Sequence, residues 1–321
     1  MMLSRVADSF YWMGRYAERA EHACRLLQIT LTAGLEAGAQ EADVTAERAM
    51  RALGAAPIAA RMGAIEEARL LTFGRDADMS SIHTAVFAAR ENARQVRDQI
   101  TTEMWERLNR LYFRVREGAE TQNFSADAFR FYEDAISDLH AFKGIVSGTM
   151  SHGEGFHFLS MGRSLERAQL LVRLLDLHFG EKQTNVGDYG WVQLLRMCCG
   201  LEPYLRVKTA NFKRDQIADF LVLNNEFPRS LRFCANTIAM HIEAVGALAD
   251  DQARRKCTRL AGRLAARLNY ALLDEVTGKN GKAFIAQVAD DCVGISEAVH
   301  AAFISYSLAE RLPGSNLVGG Q

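Results

Sequence analysis

The chain has 321 residues, 49% of them hydrophobic, and a formal charge of −1 at pH 7. That balance gives no electrostatic argument for nucleic acid or for an anionic membrane surface. No run of about 18 apolar residues is present, which argues against a membrane-spanning helix. The opening residues reach Arg5 and Asp8 without an apolar leader core. Cys24, Cys198, Cys199, Cys234, Cys257 and Cys292 show no CxxC spacing and fall mostly inside apolar helical patterns. Reduced, buried thiols in a cytoplasmic protein fit that pattern better than a disulfide frame.

Only four prolines, with abundant Ala, Leu, Arg and Glu, predict helix throughout. In chain order, residues 4–37 read as one long helix stopped at Gly34 or Gly38. Helices over 43–53 and 58–73 follow, and Asp78 or Ser80 caps another running to about Gln99. On that helix Arg90, Arg94 and Arg97 share a face, read as solvated, with a wall of an Arg-rich interior as the alternative. Asn92 there calls for a side-chain contact. Thr102-Glu103 opens a helix to about Gly118, and Ser125 caps one to about Gly148. The loop at 151–156 divides the chain. A helix spans 156–179, a linker leads to one over 190–199, and 201–212 is read as irregular around Pro203. A helix at 213–224 follows, Pro228 is placed in the first turn of the next, and long helices over 251–277 and 281–308 close the chain. The expected units are 1–150, 151–312 and a flexible Gly-rich tail, 313–321.

One stretch occurs twice. Residues 13–27 read MGRYAERAEHACRLL and residues 161–175 read MGRSLERAQLLVRLL, at a constant offset of 148. Nine of fifteen positions agree, where average composition gives roughly one. The fold class expected is therefore all-α, a helical bundle of two pseudo-symmetric repeats packed around paired long motif helices.

On a helical wheel, Phe158, Met161, Leu165, Ala168, Val172, Leu175 and Phe179 form one apolar stripe. Arg163 and Arg167 lie opposite, with Glu166 at the edge of their face, but among Leu159, Leu170, Leu174 and Leu177. In the first copy Val6, Phe10, Met13, Ala17, Ala20, Cys24, Leu27 and Leu31 make the stripe. Arg15, Arg19 and His22 face the other way, among Tyr11, Trp12, Leu26 and Ile29. Helices apolar on both sides are buried, so these charges sit in or at the lip of an interior. Gly14 and Gly162, each just before an Arg, suit close approach of a neighbouring backbone. Arg15 reaches Glu18 at i,i+3 and Arg163 reaches Glu166 likewise. One Glu cannot neutralise two Arg, so each copy keeps about one positive charge that only acids elsewhere could match. Either the charges form a structural ion network, or the Arg forks hold a carboxylate or phosphate.

The segments LSRVADSFYWMGRYAERAE, AARENARQVRDQITTEMWERLN and FHFLSMGRSLERA resemble the alpha-E family, bacterial helical proteins of unassigned activity named for a recurring Glu-Arg motif. The resemblance covers nearly the whole chain and implies an all-helical fold. It also implies a neighbourhood: an ATP-grasp-type ligase or a transglutaminase-like protein as partner, in a peptide-forming or peptide-modifying pathway. The motif maps onto Gly14, Arg15, Glu18 and Arg19, and onto Gly162, Arg163, Glu166 and Arg167. The expected ligand-binding set is thus Arg15, Glu18, Arg19, Arg163, Glu166 and Arg167.

Other chemistries find little footing. Glu18 and His22 at i,i+4 could share a metal, but Leu170 replaces the His in the second copy. His152, Glu154 and His157 follow no ligand spacing. Phosphate-loop, dinucleotide and nucleophile-elbow signatures are absent. Cys198-Cys199 reads as inert core. No cofactor or metal is expected, catalysis is undecided, and a homo-oligomer is left open. The runner-up functions are an enzyme on peptide or amide bonds, with Glu18 or Glu166 as general base, and a purely structural interaction protein.

Overall fold

A computed structural model of the chain describes residues 2–54, 63–75, 81–121, 124–179, 187–246 and 252–304. The fold is all-α, with no strand among the described residues. In the first half the helices are α1 (Ser4–Glu36), α2 (Ala39–Ala52), α3 (Ala64–Phe73), α4 (Ile82–Gln95), α5 (Thr102–Glu120) and α6 (Phe124–Thr149). The second half holds α7 (Glu154–Phe179), α8 (Asp188–Met197), α9 (Leu201–Lys208), α10 (Arg214–Ala218), α11 (Leu231–Gly246), α12 (Gln252–Tyr270), α13 (Leu273–Thr277) and α14 (Gly281–Val299). Two π-helical turns, Asp219–Leu223 and His300–Ile304, extend α10 and α14.

The two motif helices, α1 and α7, pack along each other at the centre. Their glycines allow it. A Cβ on Gly14 would collide with the Leu159 carbonyl oxygen, and a Cβ on Gly162 with that of Tyr11. Each copy thus presents its glycine to the backbone of the other. Helices α4 and α6 flank α1, with α5 against both; α11 and α14 flank α7, with α12 against both. The buried apolar residues of all these helices form one continuous cluster, from Phe10 and Leu27 through Leu111 and Phe142 to Leu175, Ile238 and Val288.

Several boundaries depart from the sequence reading. Pro203 does not break the chain, because it stands third in α9, where a helix amide has no partner to lose. The stretch expected as one helix over 213–224 is α10 followed by the wider π turn, which buries Phe220, Leu221 and Val222 in succession. Pro228 lies outside α11, whose cap is Ser230: its Oγ accepts the Phe233 amide at 3.0 Å. Ser81 plays the same part for α4, accepting the Thr84 amide at 3.1 Å. The earlier caps, Asp78 and Ser80, and the tail 313–321 fall outside the described residues. Ser125 sits inside α6 rather than capping it. The helix expected over 251–277 ends at Tyr270, and α13 restarts where Glu275 accepts the Leu272 amide at 2.8 Å.

Candidate functional site

Where α1 and α7 cross, their charged faces meet, and the carboxylates pair across the crossing. Glu166 on α7 accepts Arg15 Nε and Arg19 Nε, both at 2.6 Å. Glu18 on α1 accepts Arg167 Nε and Nη2 at 2.8 and 2.9 Å, a two-pronged fork. The expected pairs along each helix, Arg15 with Glu18 and Arg163 with Glu166, do not form. Close approach at the two glycines brings the opposite helix's carboxylate within reach of these guanidinium groups.

The Glu166 end is closed. Arg15 also donates to Tyr11 Oη at 3.2 Å, Ser296 Oγ at 3.0 Å and Gln169 Oε1 at 2.5 Å. Its guanidinium lies 5.0 Å from the Trp12 ring centre, and that of Arg19 lies 5.3 Å from Tyr16. Burial works to raise the Glu166 pKa, but Arg15 and Arg19 outweigh it and hold the carboxyl below its ordinary value.

The Glu18 end is richer in cations. Lys143 from α6 donates to Glu18 at 2.7 Å and also to Glu21. Arg229, before α11, lies 3.3 Å from Glu18 and donates to Glu21 at 2.5 Å. Arg25 adds a contact to Glu21 at 3.0 Å. Both carboxylates are buried completely, yet these cations hold them well below the ordinary carboxylate range. Sequence reasoning missed Glu21, Lys143 and Arg229. Glu21 gave one signal, a second acidic residue in the motif one turn beyond Glu18; the other two arrive from distant elements.

Arg163 stands apart from its counterpart Arg15. Its Nε is buried without a hydrogen-bond partner, and no carboxylate lies within ion-pair distance of it among the described residues. Burial, then the neighbouring Arg167, lowers its pKa. One turn earlier, Ser160 Oγ is fully buried and also without a partner. His241 on α11 sits near enough to feel the Arg163 charge; burial chiefly, with His157 and Arg163, brings it to about 4. Nδ1 atoms of His157 and His241 are 2.9 Å apart.

His22 lines a small cavity with Glu18, Arg167, Leu170, Cys198 and Arg229. It is fully buried, its Nε2 has no partner, and burial lowers its pKa to about 4. Glu18 and His22 bring no third ligand with them: no cluster of three or more metal-ligating side chains occurs among the described residues. In the loop cluster Glu154 is engaged elsewhere, accepting the Met2 amide at 2.6 Å, while His152 stacks on Phe156 at 3.9 Å and stays near His157. Burial raises the thiols of Cys198, Cys257 and Cys292 to about 12 and that of Cys234 to about 11, so they are unreactive at neutral pH. Arg90 belongs to the outer face, held by Asn109 at 2.8 Å and lying over Trp105 and Tyr112. Asn92 finds its side-chain contact in the Ala88 carbonyl at 2.8 Å.

Glu18-Arg19 and Glu166-Arg167 are thus two Glu-Arg pairs that exchange partners across one helix crossing. The chain belongs to the Alpha-E family. That family, described as a predicted alpha-helical domain with a conserved ER motif, matches residues 2–304. Similar proteins include an uncharacterized protein of Mycobacterium bovis and two of Mycobacterium tuberculosis, each 22% identical over 306 residues. The match covers 88% of this chain and 34% of each relative, so this Alpha-E chain spans about a third of their length. No solved structure matches it. No helix among its described residues is long and apolar enough to cross a membrane.

Proposed function

We propose that this Alpha-E protein is an accessory, anion-recognising module that works beside an ATP-grasp-type ligase in a peptide-forming or peptide-modifying pathway. The observation that carries the anion site is Arg163, a largely buried guanidinium whose Nε has no hydrogen-bond partner and which makes no direct ion pair among the described residues. Around it, Glu18 and Glu21 face Arg25, Lys143, Arg163, Arg167 and Arg229, two carboxylates against five cations. A carboxylate or phosphate on the Arg163 fork would offset part of that excess positive charge, and Ser160 supplies a hydroxyl one turn away. Arg15, Arg19, Arg167, Glu18 and Glu166 then fix the crossing that holds Arg163 in place. The ligase is suggested by the family resemblance, and a match to one third of longer relatives suits a module that acts with other domains.

An enzyme using Glu18 or Glu166 as general base finds less support. A carboxyl held below its ordinary pKa is a weak base at neutral pH. Thermal unfolding of the wild type and Arg163→Lys, each with inorganic phosphate, amino acids, small acidic peptides and nucleotides, tests the proposal. One ligand class should raise the wild-type melting temperature, with the shift lost in the variant while its unliganded stability holds. No shift with any probe would reduce the charge cluster to a structural lock.

A further inference from the structure

Helix α12 packs Cys257, Ala261, Leu264 and Leu268 into the core. Its outward side carries Arg255, Lys256, Arg259 and Arg263, all exposed. The helix contains six basic residues and no acidic one. Solvation alone does not demand this. Helix α5, which stands against α4 and α6 as α12 stands against α11 and α14, balances Arg107, Arg110, Arg114 and Arg116 with Glu103, Glu106, Glu117 and Glu120.

The α12 arrangement is costly to the folded chain. Arg255, Arg259 and Arg263 repeat at i,i+4, where like charges repel. Lys256 adds a further positive charge in the first two turns, at the positive end of the helix dipole. Of the six cations, Arg267 has its counter-charge in Asp291 at 3.0 Å. Lys256, Arg259 and Arg263 have no carboxylate within ion-pair distance among the described residues.

Arg255, Arg259, Arg263 and Tyr270 fall within one arc of roughly 80° on the helix, since a step of four residues advances about 40° and a step of seven falls back about 20°. Gly262 and Ala266 keep the surface along that arc low. Tyr270 is 84% exposed, and Leu272 just beyond it 65%. The first turns also border a groove formed with Ala301 of the second π turn. We propose that this outer face of α12 is a docking surface for an acidic segment of a partner protein. The carboxylates would lie along Lys256, Arg259 and Arg263, and an apolar side chain would meet Tyr270 about 16 Å from Arg259. A basic stripe that runs into an exposed Tyr matches protein interfaces, which favour Arg and Tyr. The stripe itself is only about 12 Å long, short for tracking a duplex, and the whole chain is not basic.

The test uses the full chain and a fluorescent peptide with Glu at i,i+4 spacing and a terminal Leu, read by anisotropy at about 0.15 M salt. Controls are a Lys peptide of equal length, a DNA duplex and vesicles containing an anionic lipid. The acidic peptide should bind best, and Arg259→Glu/Arg263→Glu should weaken it at least tenfold while raising the melting temperature, because the repulsion is relieved. Absent or unchanged acidic-peptide binding overturns the proposal. Tighter binding of duplex or vesicle overturns it in favour of that surface. A lower melting temperature in the variant would show that the stripe serves the fold.

Discussion

Glu166 and Glu18 occupy the same place in the two copies of one motif, and their surroundings differ. Around Glu166 the partners are Arg15 and Arg19, and the spare donors of Arg15 end on Tyr11, Ser296 and Gln169. Around Glu18, the position of Gln169 is held by the carboxylate Glu21, and Lys143 and Arg229 are added. Glu18 is then fully engaged by Arg167, Lys143 and Arg229, so Arg163 is left over. The lesson is that one motif can close a lock at one end and leave a cation unmatched at the other, according to what neighbouring helices contribute.

Deleting the carboxylates should break this comparison most visibly. Glu18→Ala takes the carboxylate from Arg167, Lys143 and Arg229 and leaves Glu21 as the one acid that Lys143 and Arg229 share, and removing one member of a buried pair costs about 3–5 kcal/mol. Glu166→Ala should cost less, toward the lower end of that range, since Arg15 keeps three neutral acceptors. Urea unfolding of both variants decides it; equal losses would mean that the two ends are equivalent.

Next comes pH. The folded pKa of His22 lies below its unfolded value, so the fold prefers the neutral ring. Stability from this source is complete above about pH 6.5 and falls as the pH drops toward 4. His22→Leu, which copies Leu170 of the second motif, should lose about 3 kcal/mol less than the wild type across that window. Parallel pH profiles would clear His22 of any part in acid sensitivity.

The smallest effect sharpens the comparison most. Arg15→Met should lose roughly 3 kcal/mol by leaving Glu166 with one partner. Arg163→Met should hold or gain about 1 kcal/mol, because an unmatched buried charge is replaced by an apolar chain of similar length. Chemical denaturation measures both; a loss at Arg163 comparable to that at Arg15 would reveal a counter-charge there.

Much of this was legible in residue order. The motif repeat located the two central helices, their two-sided apolar wheels placed the motif charges in or at the lip of an interior, where Arg15, Glu18 and Glu166 are buried and Arg167 half-buried, and Gly14 and Gly162 marked the close approach. Pairing was misread because a wheel sees only its own helix: Arg15 has Glu18 one turn away, yet Glu166 meets it from across the crossing. Pro203 was misread as a breaker because proline disrupts a helix interior but not its first turn.

The sequence by itself determined the helices, the buried faces and the chemical identity of the charges, since these follow from side-chain periodicity and backbone propensity, which are local. Only the tertiary structure decided which charge answers which. Lys143, Arg229 and Ser296 lie more than 100 residues from the motif residues they touch. Whether a buried ion is compensated depends on what stands within a few ångströms, and chain order does not encode that distance.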